Sequence, residues 1–248
     1  MTLQEAIRQR HSVRRYRKEP LSPEQVDAIR KKISEINADG AFHFQLVTGE
    51  PKAFTGLFAY GKFSGVENYI VVAGRRGPDF EERAGYHGEE LVLLAQTLGL
   101  NTCWAGLSYR KIDGTFSLEK DEKILAYIAL GYGVTQGVDH KRKTVSQVSN
   151  YAPEMPDWFL RGVKAALLAP TAVNQQKFRF DWLGTDAETG RGIVSASRQF
   201  SLVGYTRIDL GIVRLHFELA AGQSNFVWQS GHSAFSRHVS ENIWNSTC

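Results

Sequence analysis

Cysteine is nearly absent from this chain of 248 residues: Cys103 sits in an apolar setting and Cys248 is the last residue. Two cysteines provide neither a disulfide framework nor a four-ligand zinc site. The seven histidines show no HExxH or paired-cysteine spacing, so no structural metal is expected. Long apolar runs are also missing: no stretch approaches the ~18 to 20 residues that a membrane span requires. The opening "MTLQEAIRQR" has no apolar core of the kind a signal peptide carries, so the expected location is cytoplasmic and away from membranes.

A strong charge imbalance is lacking too. Thirty basic residues face 26 acidic ones, and the excess is local to "QRHSVRRYRK" at 9–18 and "HKRK" at 140–143. A nucleic-acid face usually needs a stripe of positive charge with aromatics between, so two small clusters point instead to a small anion. The composition, 42% hydrophobic and 23% charged, is that of an ordinary globular protein with a sizeable core.

Thr2 with Glu5 forms a capping box for a short helix through about Gln9, and Ser22-Pro23-Glu24-Gln25 forms a second for a helix from Pro23 to about Ile36. The basic stretch between them reads as a loop whose backbone N–H groups are free to meet a ligand. "AFHFQLVTG" alternates like a half-buried strand, while "NYIVVAG" and "AYIALGYG" read as continuous buried strands. A helical pattern runs from about Asp79 to Leu98, with Gly99 as C-cap.

The pattern then returns. "WFLRGVKAALLA" is a helix halted by Pro170, "KFRFDWLG" repeats the Phe-x-Phe strand, and "DLGIVRLHFELAAG" repeats a helix with two glycines eleven apart, as Gly88 and Gly99 are. This is the signature of a degenerate tandem duplication. The expected division is a first repeat over 1–152, a second over 153–228, and a tail over 229–248 that is ordered, disordered or extraneous.

Two segments carry candidate chemistry. Arg10-x-Ser12-x-Arg14 in an extended loop projects two guanidiniums and a hydroxyl to one side, which suits a phosphate because arginine can bond two oxygens at once. A solvated basic loop is the alternative. In "ALLAPTAVNQQKFRF" a small-residue turn displays Asn174 and Gln176, whose amides suit the edge of a heterocycle; turn residues that cap their own backbone are the alternative. "GYGVTQG" does not match the dinucleotide fingerprint. Cys103 reads as a packed residue and His216 as a satisfied core histidine.

Together these segments resemble the FMN-dependent nitroreductase family. Its R-x-S-x-R motif is matched by Arg10, Ser12 and Arg14, and its A-P-S-A-x-N-x-Q-P-W motif by Ala169 to Gln176. "GLNTCWAG" at 99–106 is similar to the family's G-L-G-T-C-W-I-G, and "GYG…KRKTV" at 131–145 to its G-Y-P…R-K-P-L. Lys177-Phe178 departs from the family's Pro-Trp, and Asn101 from a glycine.

The resemblance implies an α+β fold: a mixed, mainly antiparallel sheet flanked by helices, here as two pseudo-symmetric nitroreductase-like repeats. It also implies FMN, with Arg10, Ser12 and Arg14 on phosphate and ribityl oxygens and Arg142 and Lys143 closing on the phosphate. Pro170, Thr171, Ala172, Asn174 and Gln176 would line the flavin, and Trp104, Ala105 and Gly106 would lie along the isoalloxazine. The first repeat lacks the Ala-Pro turn and the second lacks R-x-S-x-R, so one composite site per chain is expected, with no obligate dimer.

The activity implied is hydride transfer from NADH or NADPH through flavin to a small acceptor such as a nitroaromatic or quinone, with no dedicated catalytic side chain. Alternatives are flavin storage without turnover, dehalogenation, or flavin fragmentation on the same fold.

Overall fold

The computed structural model describes residues 1–56 and 63–229. The tail expected over 229–248 lies, Gln229 apart, outside the described residues. Helices α1 (Leu3–Gln9) and α2 (Pro23–Asn37) begin at the two capping boxes, each with its reciprocal side-chain bonds formed. Strands β1 (Gln45–Val47) and β2 (Asn68–Arg75) precede helix α3 (Phe80–Thr97), which stops where Gly99 adopts φ +78. Then come β3 (Asn101–Ala105), β4 (Glu122–Gly131) and the single turn α4 (Val145–Val148). The remainder is α5 (Asp157–Ala166), β5 (Phe178–Thr185), β6 (Gly192–Arg198), α6 (Thr206–Ala221) and β7 (Phe226–Trp228).

The first sheet has the order β1-β2-β4-β3 with every neighbour antiparallel. Both of its faces are covered, which is why β2 and β4 read as unbroken apolar runs. Ile70, Val72, Ile128 and Leu130 point into the main core. Tyr69, Val71, Tyr127 and Ala129 point into a second one, where the Tyr69 and Tyr127 rings stack at 4.9 Å.

The second sheet, β5-β6-β7, covers one face only: Phe178, Phe180, Val194 and Ala196 face the core between less buried neighbours. β5 and β6 are antiparallel, and β6 and β7 are parallel across the α6 crossover. The fold is thus α+β, with mainly antiparallel pairing.

Helices α3 and α6 cross at the centre, almost wholly buried. Their closeness depends on glycine. A Cβ built on Gly85 would lie 2.1 Å from the Ile208 carbonyl oxygen, and one on Gly211 would lie 1.8 Å from that of Glu82. Helix α1 packs against this pair through Ala6 and Ile7. Among the described residues no helix is long and apolar enough to cross a membrane.

Candidate functional site

A cleft of about 530 Å³ opens where β3 ends, a size within the ~300 to 1,000 Å³ usual for small-molecule sites. Four parts of the chain supply most of its wall. The basic stretch contributes Ser12 and Arg14, and the end of β3 contributes Cys103 through Ser108. The turn after α5 contributes Pro170 through Val173, and α6 with the loop before it contributes Val203, Tyr205, Ile208, Asp209 and Ile212.

The basic stretch is not the free loop its sequence suggests. Val13 N–H donates to the Thr102 carbonyl at 3.0 Å, placing Ser12 beside β3. Tyr16 and Arg17 donate to the carbonyls of Ser64 and Tyr132. Val13 and Tyr16 are apolar anchors buried in the second core, so the alternate residues Ser12 and Arg14 are turned to the cleft. Among the described residues Arg14 has no ion-pair partner, which leaves a guanidinium at the cleft edge.

Arg10 departs from the pattern. It caps α1 and is buried, with Nη2 donating to the Leu168 carbonyl at 3.0 Å and Nε 3.8 Å from Glu89 Oε1. Extended alternation begins only after this helix end, so Arg10 turns into the interior while Ser12 and Arg14 face the cleft.

The 171–176 turn is strained. Val173, Asn174 and Gln176 all have left-handed φ values, +46, +57 and +46, which is unusual for non-glycine residues and most of all for a β-branched one. Side-chain bonds hold it. Gln176 N–H donates to Thr171 Oγ1, its Nε2 donates to Asn174 Oδ1 at 2.8 Å, and its Oε1 accepts from the Lys143 backbone at 2.9 Å. Asn174 donates to the Lys141 carbonyl, and Lys143 Nζ to the Gln176 carbonyl at 2.7 Å.

The second basic cluster is thereby fastened to the turn. Neither Lys143 nor Arg142 borders the cleft, and Arg142 pairs with Asp139 at 2.6 Å on the surface. Asn174 and Gln176 shape the turn and lie outside the lining, whereas Pro170, Thr171 and Ala172 belong to it.

Two cleft groups were not foreseen from sequence. Asp209, on the cleft side of α6, accepts from the Ala172 N–H at 2.9 Å and from Gln175 Nε2 at 2.6 Å, and burial pushes its carboxyl up to about 6. Tyr205 adopts φ +60 and its ring closes on Gly106, where a Cβ would lie 2.6 Å from the ring. A charged residue inside the apolar "IDLGIV" was a visible signal for Asp209; nothing local marked Tyr205.

In the cleft wall, Trp104 packs against α3 where Gly88 offers no side chain: a Cβ there would be 2.3 Å from the indole. Its Nε1–H donates to Glu89 Oε2 at 2.9 Å, and the fully buried Glu89 also meets His216 Nε2 at 2.9 Å. His216 Nδ1 lies 3.2 Å from the Ala165 carbonyl, so both ring nitrogens have partners. His216 is a satisfied core histidine. Cys103 is buried at the cleft wall, and burial pushes its thiol up, away from nucleophile chemistry.

This arrangement has known counterparts. The family model described as "Putative TM nitroreductase" matches residues 2–221, and the chain belongs to that nitroreductase family. A crystal structure of a "putative nitroreductase" from Thermotoga maritima superposes with a TM-score of 0.59 at 25% identity, covering 89% of this chain and 83% of that one. A "putative nitroreductase" from Desulfovibrio desulfuricans, solved in complex with FMN, has a TM-score of 0.51 at 22% identity, covering 63% of this chain and 99% of that one.

Another FMN complex, of a "putative nitroreductase" from Exiguobacterium sibiricum, gives 0.50 at 18% identity, covering 61% and 98%. The last two show a shared fold. A comparison with curated protein sequences finds no match. Family membership makes oxidoreductase chemistry the class of activity to test.

Proposed function

We propose that the chain is an FMN-dependent oxidoreductase that takes hydride from NADH or NADPH and passes it to a small acceptor such as a nitroaromatic or quinone. The observation that carries this reading is the meeting, at one cleft, of Ser12 and Arg14, of Trp104 to Gly106, and of Pro170 to Ala172. Three segments remote in sequence, each matching a motif of the family, line a single volume. FMN complexes of two proteins with this fold support the choice of cofactor.

The donor set fits FMN. Ser12 and Arg14 would hold the phosphate and ribityl oxygens, because a hydroxyl and a guanidinium supply charge-assisted bonds to an anion. Trp104 to Gly106 and Pro170 to Ala172 would flank the ring system and exclude water from it. The flavin, once bound, supplies the two-electron relay between nicotinamide and acceptor. Exposed apolar side chains at the mouth, Leu107, Val173 and Val203, suit an uncharged, planar acceptor.

The reading includes one composite site in a duplicated chain. The order helix, strand, strand, helix, strand occurs as α2-β1-β2-α3-β3 and again as α5-β5-β6-α6-β7. Gly99 and Gly222, eleven residues beyond Gly88 and Gly211, end the two central helices with φ +78 and +81. Gly85 and Ile208, which touch at the crossing, each stand three residues before one of that glycine pair. This supports two halves folded face to face, with the cleft taking one wall from each and no second chain required.

The test is an absorbance spectrum of the purified protein before and after anaerobic addition of NADH or NADPH. A flavin spectrum that bleaches, at a flavin-to-protein ratio near one, is the expected result. A spectrum that persists would favour storage without turnover, a ratio near two would overturn the composite site, and failure to bind added FMN would overturn the reading.

A further inference from the structure

We propose that Asp209 is a positioning residue that clamps the 171–176 turn against the cleft and so fixes the backbone on which the bound flavin rests. The flavin half of this inference rests on the function proposed above; the clamp itself does not.

Four non-glycine residues have left-handed φ values among the described residues, and all four stand on the two segments that Asp209 ties together. Val173, Asn174 and Gln176 are in the turn, and Tyr205 is one helical turn before Asp209. The Asp209 N–H donates to the Tyr205 carbonyl at 2.9 Å, while the side chain reaches the turn: Oδ1 accepts from Ala172 N–H and Oδ2 from Gln175 Nε2. Gln175 extends the clamp, accepting from Ser201 Oγ at 2.5 Å and donating to the Gly204 carbonyl at 2.9 Å.

Strained backbone persists only where its surroundings over-determine it. Here the turn is held from two sides, by the Gln176, Asn174 and Lys143 bonds on one and by the buried Asp209 carboxylate on the other. The chemistry of the clamp needs an acid: a carboxylate accepts at both oxygens, whereas asparagine would turn an N–H toward the Gln175 N–H. Moving the acid across the contact restores the match. With Asp209→Asn and Gln175→Glu combined, the new amide could donate to the new carboxylate while still accepting from the Ala172 N–H, although the Nε2 donor to the Gly204 carbonyl is given up.

The experiment compares Asp209→Asn with the double variant Asp209→Asn, Gln175→Glu in the full chain. Amide hydrogen exchange of the free protein reads the turn, and quenching of FMN fluorescence reads the site. In Asp209→Asn, exchange at Ala172 should speed up and the FMN dissociation constant should rise, each by about tenfold, as for one lost hydrogen bond. The thermal midpoint at neutral pH should not fall, and the double variant should recover only part of either value, because the bond to the Gly204 carbonyl is lost.

A merely structural role would lower the midpoint together with affinity. Unchanged exchange and FMN affinity in Asp209→Asn would overturn the proposal. Wild-type protein that fails to bind FMN would remove the flavin reading, while exchange at Ala172 would still decide whether Asp209 is the clamp.

Discussion

The indole N–H of Trp104 donates to the carboxylate of Glu89 across 2.9 Å, and the same fully buried carboxylate faces His216 and Arg10. One acid thus joins α1, α3, β3 and α6 directly behind the cleft. Trp104 is held as part of a wall, its ring against Gly88 and its polar edge turned inward.

Removing that acid should therefore damage the fold before it damages any chemistry. Glu89→Ala leaves a buried arginine, a histidine and an indole N–H without their shared acceptor, and we expect a loss of about 3 to 5 kcal/mol in urea unfolding, as when one partner of a buried ion pair is deleted. Glu89→Gln keeps an acceptor for Trp104 and should lose less. Equal losses in the two variants would show that charge alone matters.

The arginines of the basic regions should separate into distinct roles. Arg14→Ala removes the cleft guanidinium and should weaken FMN binding by about 1.5 to 3 kcal/mol, the scale of a charge-assisted hydrogen bond, with an unchanged thermal midpoint. Arg10→Ala acts on the buried bond to Leu168 and should mainly lower stability. Arg142→Ala, at a surface pair with Asp139, should leave both nearly unchanged, because exposed pairs contribute about 0 to 1 kcal/mol. Isothermal titration with FMN beside thermal melts distinguishes the three. A large loss of FMN affinity in Arg142→Ala would restore the second basic cluster to the phosphate.

The helix crossing makes a sharper demand. Gly85→Ala would place a methyl against the Ile208 carbonyl and Gly211→Ala one against that of Glu82; both obstacles are backbone, which cannot rotate aside. Each variant should lose about 3 kcal/mol or more, at the upper end for overpacked cores. Gly77→Ala, with nothing within 4 Å, is the control. Denaturation midpoints that match the control would show that α3 and α6 can separate freely.

Much of the scaffold was legible in the sequence because the chain states it locally. Capping boxes began α1 and α2, a left-handed glycine ended α3, and two-sided burial left β2 and β4 as apolar runs. Other elements were hidden by their polarity. β3 begins with Asn101 and Thr102, both buried, and Asn101 spends its amide on the Gly133 N–H and Gln136. β6, Gly-Ile-Val-Ser-Ala-Ser-Arg, is short of large apolar residues, with Val194 and Ala196 as the side chains facing the core.

Ser12, Arg14, Trp104 to Gly106 and Pro170 to Ala172 could be named because motifs mark them, and the structure brings them to one cleft. Arg10, Arg142, Lys143, Asn174 and Gln176 carry the same motifs but are turned elsewhere by tertiary bonds. Asp209 and Glu89 required the opposite inference: a single acid within an apolar helix has meaning only once its partners, remote in sequence, are known.

Asp209 also carries a stability signature of its own. Its carboxyl is raised from 3.8 to about 6 by burial, which outweighs the two hydrogen bonds that favour the ionised form. A raised folded value means that the folded state binds the proton more tightly than the unfolded chain does. The associated stability is therefore fully present below about pH 4 and lost as pH rises through about 6. At 1.36 kcal/mol per unit, ionised Asp209 costs the fold up to about 3 kcal/mol at neutral pH.

Asparagine has no such ionisation. Relative to wild type, Asp209→Asn should gain stability steadily between about pH 4 and pH 6 and hold that gain above, less whatever the misdirected N–H at Gln175 costs. Urea midpoints of both proteins across that range give the comparison directly. A difference that stays flat with pH would mean that Asp209 is not buried as an acid. The expected slope would show that the chain keeps a destabilising carboxylate beside the cleft, where its stability cost is matched by the hold it exerts on the turn.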